Sequence, residues 1–62
     1  NCIDINKAPI SELQQIIHIG SDRAAQIIEL RPFSSVDELS KVTGIGPSRL
    51  QDIKNEGLAC TN

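Results

Sequence analysis

The chain is a doubled unit. Sliding the 62-residue sequence against itself by 26 positions pairs Glu12 with Glu38, Leu13 with Leu39, Ile19 with Ile45, Gly20 with Gly46, Arg23 with Arg49 and Ile27 with Ile53. Ile10 with Val36 and Ile16 with Val42 are conservative matches at the same offset. Two copies are too few for a solenoid, whose stacked repeats need at least three to bury a continuous core. The repeat therefore predicts a compact, pseudo-symmetric fold built from two copies of one supersecondary unit.

Within each copy the apolar spacing is helical and breaks at the same place. Ile10, Leu13, Ile16 and Ile17 recur along one helix face, His18, Ile19 and Gly20 interrupt the stripe, and Ala24, Ile27 and Ile28 resume it. In the second copy Val36, Leu39 and Val42 form the stripe, Thr43-Gly44-Ile45-Gly46 interrupts it, and Leu50 and Ile53 resume it. Each unit reads as helix, tight turn, helix. The first is expected over about residues 9–30 and the second over about 35–57, joined by a connector at 31–34, in an all-α fold of four to five short helices. Ser35 followed by Glu38 is a capping-box pattern, and Pro47 suits the first turn of a helix, as does Pro9. Pro32 disfavours helical geometry at Arg31, and Gly57 is expected to end the last helix with Leu58 folding back onto the core. Phe33 is the sole aromatic residue, and its expected place is the seam between the units rather than a platform for stacking bases.

Charge and composition narrow the function. Six Lys and Arg against eight Asp and Glu give a formal net charge of -2, and each half of the chain carries three basic and four acidic groups. No basic block draws nucleic acid or anionic lipid by bulk charge. No apolar run approaches the roughly 20 residues of a membrane span, so no membrane insertion by this segment is expected. The opening residues lack both the pattern of a signal peptide and an initiator Met, so the segment is expected to begin inside a longer precursor. With one histidine and no nucleophile-base-orienter set, the isolated domain is not expected to be an enzyme, and no cofactor is called for. Cys2 and Cys60, with His18 as the one further soft ligand, cannot complete a four-ligand zinc site. Domain termini often lie close together, so a cysteine near each end has the pattern of a bridge that fastens the ends. The alternative is a pair of free thiols. A bridge would imply an oxidising compartment, secreted or at the cell surface.

The second interruption has the chemistry of an anion site. Gly44 and Gly46 permit positive φ and close approach to the backbone, while Ile45 between them can point inward and anchor the turn. The helix opening at Pro47 presents amides that lack intrahelical partners, at the positive end of its dipole. The available donors are the amides of Gly44, Gly46, Ser48 and Arg49, with the Ser48 hydroxyl and the Arg49 side chain in addition; Pro47 offers none.

The segment Val42-Thr43-Gly44-Ile45-Gly46-Pro47-Ser48-Arg49-Leu50-Gln51-Asp52-Ile53 resembles the helix-hairpin-helix motif, with its apolar-Gly-apolar-Gly turn before a helix. Taken with Ile3 to Ala8 ahead of the first unit and Arg31 to Leu39 between the units, residues 3–58 resemble the tandem helix-hairpin-helix domains of bacterial competence DNA receptors, which also accompany secreted nucleases. The resemblance implies weak, non-sequence-specific binding of double-stranded DNA, with the two hairpins grasping phosphates of the two strands across the minor groove. It makes Gly44, Ile45, Gly46, Ser48 and Arg49 the main phosphate-binding residues, His18, Ile19, Gly20, Ser21 and Arg23 a secondary set, and Lys41 a flanking cation. It also implies an accessory domain of a DNA-uptake or nuclease protein, partnered by a further domain of its parent, in an extracellular or cell-surface setting.

The first hairpin departs from the pattern because His18 stands at the first glycine position. Two outcomes follow: a folded but weakened turn, or a working phosphate site of Gly20, Ser21 and Arg23 beside an imidazole. Asp22 favours the helix dipole there but repels phosphate. For Arg23 and Arg49 the alternative to a phosphate contact is a surface ion pair, with Asp52 three residues beyond Arg49. For the whole chain the alternative function is a protein-interaction or architectural domain that uses the same fold without DNA.

Overall fold

A computed structural model describes residues 2–61. In chain order it has β1 (Ile3–Asp4), α1 (Ile10–Leu13), α2 (Ser21–Leu30), a 3-10 helix (Val36–Lys41), α3 (Pro47–Glu56) and β2 (Ala59–Cys60). The fold is all-α in its core layers. Each half is a short helix, a tight turn and a ten-residue helix.

Past α1, and from the 3-10 helix onward, the chain winds more tightly than a 3.6-residue stripe predicts. Ile16 N–H donates to Leu13 C=O and Ile19 N–H to Ile16 C=O; the second unit repeats both bonds from Val42 to Leu39 and from Ile45 to Val42. These are three-residue steps, which stack side chains i and i+3 directly above one another. Leu13, Ile16 and Ile19 are accordingly buried, as are Leu39, Val42 and Ile45. Ile10 and Ile17 fall off that face and are both 41% exposed, where the helical stripe places them inside. Ile28 also turns outward, at the edge of a helix that buries Ala24 and Ile27.

Phe33 is buried in the seam, surrounded by an aliphatic core to which both units and the N-terminal residues Ile3, Ile5 and Ala8 contribute. Its backbone is held by one side chain: Phe33 N–H donates to Asn6 Oδ1 at 2.6 Å, and Asn6 Nδ2 donates to Phe33 C=O at 2.9 Å. The Asn6 amide thus serves the connector as a strand partner would, and Arg31 ties the same region down by donating from Nη1 to Ala8 C=O at 2.9 Å. No buried polar side chain lacks a partner among the described residues.

Pro47 opens α3 behind Gly46 as N-cap, and Gly57 closes it in the left-handed region at φ 77° with Leu58 packed on the core. Pro9 is the N-cap residue of α1, one step before its first turn. The capping box expected at Ser35 and Glu38 does not form, because Glu38 reaches one residue past the cap. The Ser35 side chain makes no cap bond, and Glu38 takes the N–H of Ser34 at 2.9 Å. A short parallel pairing of β1 with β2 joins the ends, in register Ile3 to Ala59 and Asp4 to Cys60. Beside it Cys2 and Cys60 form a disulfide with their Cα atoms 5.8 Å apart.

Candidate functional site

The two turns have the same backbone. Gly20 sits at φ -95°, ψ -167° and Gly46 at φ -94°, ψ -171°. Two residues earlier the chain visits the left-handed region in both copies, at φ 69° for His18 and φ 89° for Gly44. Histidine is among the residues enriched there, so the first turn keeps its shape without glycine, against a local steric cost of about 1–2 kcal/mol. Ile19 and Ile45 are buried, and their amides are spent on Ile16 and Val42 within the turns. Their place is that of anchors, with neither side chain nor N–H facing outward.

What faces outward is a set of unpaired amides. The first helical bonds run from Ala24 N–H to Gly20 C=O and from Leu50 N–H to Gly46 C=O, both 2.9 Å. Ahead of them the amides of Gly20, Ser21, Asp22 and Arg23, and those of Gly44, Gly46, Ser48 and Arg49, have no partner among the described residues. They lie at the positive ends of the two longest helices. A Cβ built on Gly20 or Gly46 would meet nothing within 4 Å, so each turn is open to an approaching group. The starts differ in charge: α2 carries Asp22 in its first turn and α3 carries no acidic residue there.

The arginines follow the repeat and then break it. Arg23 Nη1 donates to His18 C=O at 3.0 Å, and Arg49 Nη1 donates to Gly44 C=O at 2.8 Å, the same bond 26 residues on. Arg23 alone crosses between units, donating from Nε to Thr43 C=O at 3.2 Å. Each turn is also docked on the long helix of the other unit. Thr43 N–H donates to Gln26 Oε1 at 2.9 Å, Ile17 N–H to Glu56 Oε1 at 3.0 Å, and the His18 imidazole Nε2 meets Asp52 Oδ2 at 2.8 Å. Asp52, which the sequence offers as a partner for Arg49, meets His18 instead, while Arg49 turns back on its own turn. Gln26, 26 positions before Asp52, is not marked by the motif and takes a backbone N–H of the other turn.

Lys41 lies 3.9 Å from Glu38 with its side chain 62% exposed, and Lys54 lies 2.7 Å from Asp37. Such exposed pairs contribute about 0–1 kcal/mol each. An open depression between the start of α2 and the second turn is lined by Gly20, Ser21, Asp22, Arg23, Gln26 and Thr43. Among the described residues no three His, Cys, Asp or Glu side chains gather to hold a metal ion, and no helix is long and apolar enough to cross a membrane.

Residues 1–56 match the family described as the helix-hairpin-helix motif. A deoxyribonuclease of Thioalkalivibrio sp. (strain K90mix) is 48% identical over 59 residues, covering 95% of this chain and 16% of its own length. ComE operon protein 1 of Bacillus subtilis (strain 168) is 35% identical over 57 residues, covering 86% of this chain and 28% of its own length. The chain thus spans less than a third of either relative.

Proposed function

The chain belongs to the helix-hairpin-helix family, and on that premise we propose that it is a DNA-binding module that holds backbone phosphates without reading sequence. The observation that carries this is the duplicated set of free amides, in turns of matching torsion angles, at the starts of α2 and α3. Oriented amides at a helix start recognise phosphate oxygens, and such contacts position a duplex without distinguishing its bases. The second turn is the stronger grip: Gly44, Gly46, Ser48 and Arg49 supply donors with no acidic residue in that first helical turn. The first turn, with Gly20 and Ser21, is secondary because Asp22 opposes the phosphate. Lys41, exposed beside the second turn, is a flanking cation within reach of a phosphate held there.

With a net charge of -2 the module does not capture DNA by bulk field. It acts as a tether, raising the local concentration of DNA for a neighbouring domain of its parent protein, which the names of the two relatives connect with a nuclease or with competence. The module itself is not catalytic. The Cys2–Cys60 bridge supports an extracellular or cell-surface setting, where disulfides persist. A second reading, docking of a protein partner, draws on the exposed side chains of Ile10, Ile17, Ile28 and Leu30.

The test is a fluorescence-anisotropy titration of labelled duplex DNA over a salt series. Neutralising three or four phosphates gives a slope of log affinity against log salt of about -3, with dissociation constants of roughly 10–100 µM near physiological salt. Absence of salt-dependent binding rejects the proposal in favour of the docking reading.

A further inference from the structure

Arg23 occupies a place its repeat partner does not. Both arginines close their own turn, but the Arg23 guanidinium continues across the unit boundary to Thr43 C=O. Gln26, one helical turn further along the same face of α2, takes the N–H of that same Thr43. One residue of the second turn is thereby held at both its backbone groups by α2 of the first unit. The next residue is Gly44, and a Cβ there would fall on Nη2 and Nε of Arg23. Gly44 suits its φ of 89°, and a side chain there would displace the guanidinium lying against it. His18 fills the equivalent position of the first turn, where no such guanidinium crosses from the other unit: Arg49 bonds only within its own turn.

We propose that Arg23 is a positioning residue that fixes the second turn against the first, and so sets the separation at which two turns hold the two strands of one duplex. The inference rests on the DNA-binding reading above. Its physical basis is that two weak sites reinforce each other only when their geometry allows both to engage together. A guanidinium fork can serve His18 C=O and Thr43 C=O at once while remaining planar; an ammonium keeps the charge but not the fork.

Arg23→Lys and Arg23→Gln separate positioning from charge. Two measurements are needed: duplex affinity over a salt series, and hydrogen exchange of the Thr43 amide in the DNA-free protein. Both variants are expected to weaken duplex binding about tenfold through loss of joint engagement. Both are expected to speed Thr43 exchange by about tenfold, as a locally opened turn does. If Lys restores wild-type affinity while Gln lowers the salt slope by about one, Arg23 acts as a phosphate ligand and the positioning role is overturned. Unchanged Thr43 exchange in both variants overturns it equally. If exchange rises in both but the wild-type protein shows no salt-dependent DNA binding, the DNA-binding reading fails and the clamp between the turns stands.

Discussion

Gly46→Glu should weaken duplex binding at least about tenfold while leaving the fold intact. Gly46 has ordinary extended torsions, φ -94° and ψ -171°, so no strain attends a side chain there. A Cβ would meet nothing within 4 Å. A carboxylate at a helix N-cap is favoured by the unpaired amides and the dipole, by about 0.3–1 kcal/mol, so the melting temperature should hold or rise slightly. The same amides are then satisfied from within, and the site carries negative charge where a phosphate must sit. The expected loss is at least about tenfold in affinity, or roughly 1.4 kcal/mol. Gly20→Glu, at the equivalent place, should cost less, because Asp22 already weakens the first turn as an anion site. Anisotropy titration beside a thermal melt checks both. Equal binding by wild type and Gly46→Glu would mean that the second turn is not the grip.

Replacing Cys2 and Cys60 together by serine should remove most of the domain's stability. The bridge closes a loop of sequence separation 58, which encloses every helix of the fold. Loop-closure entropy assigns such a link about 4 kcal/mol, against a total stability of about 3–9 kcal/mol for a chain of this size. The melting temperature should fall by on the order of 20 °C. The remaining ties between the ends are slight: a two-residue strand pair and the packing of Ile3, Ile5 and Leu58. Thermal melts of the double variant, and of the wild type with and without reductant, give the comparison. A shift of only a few degrees would show that this packing alone holds the ends.

The doubled architecture was legible because a repeat is read from residue identity, without any assumption about helix geometry. The pairs Leu13 with Leu39, Ile19 with Ile45 and Gly20 with Gly46 placed the turns, the inward-pointing Ile45 and the start of α3 where they lie. Phe33 in the seam followed from its being the one large side chain available between two aliphatic units. What was not legible lay below the resolution of a helical stripe. Leu13, Ile16 and Ile19 step by three, a 3-10 signature, but Ile10 and Ile17 complete an equally good 3.6-residue stripe and so were expected inside. A two-residue strand pair is too short to leave an alternating pattern. The connector's dependence on the Asn6 amide joins residues 27 apart through a single side chain, which no local propensity records. At the site, the repeat identified Arg23 and Arg49 as equivalents but could not show that Arg23 alone reaches into the other unit. That asymmetry depends on how the two copies face each other, and sequence similarity carries no information about it.

The formal charge of -2 and the proposed grip on a polyanion are reconciled by where the positive potential arises. Unpaired amides at two helix starts carry partial charge that a count of ionisable groups omits. That central claim is tested most directly by titrating 15N-labelled protein with a short duplex and following its amide resonances. The account predicts that the largest shifts fall on Gly44, Gly46, Ser48 and Arg49, with smaller ones on Gly20 and Ser21, and that they collapse as salt is raised. Shifts centred instead on Ile10, Ile17, Ile28 and Leu30, or distributed without regard to the two turns, would contradict it.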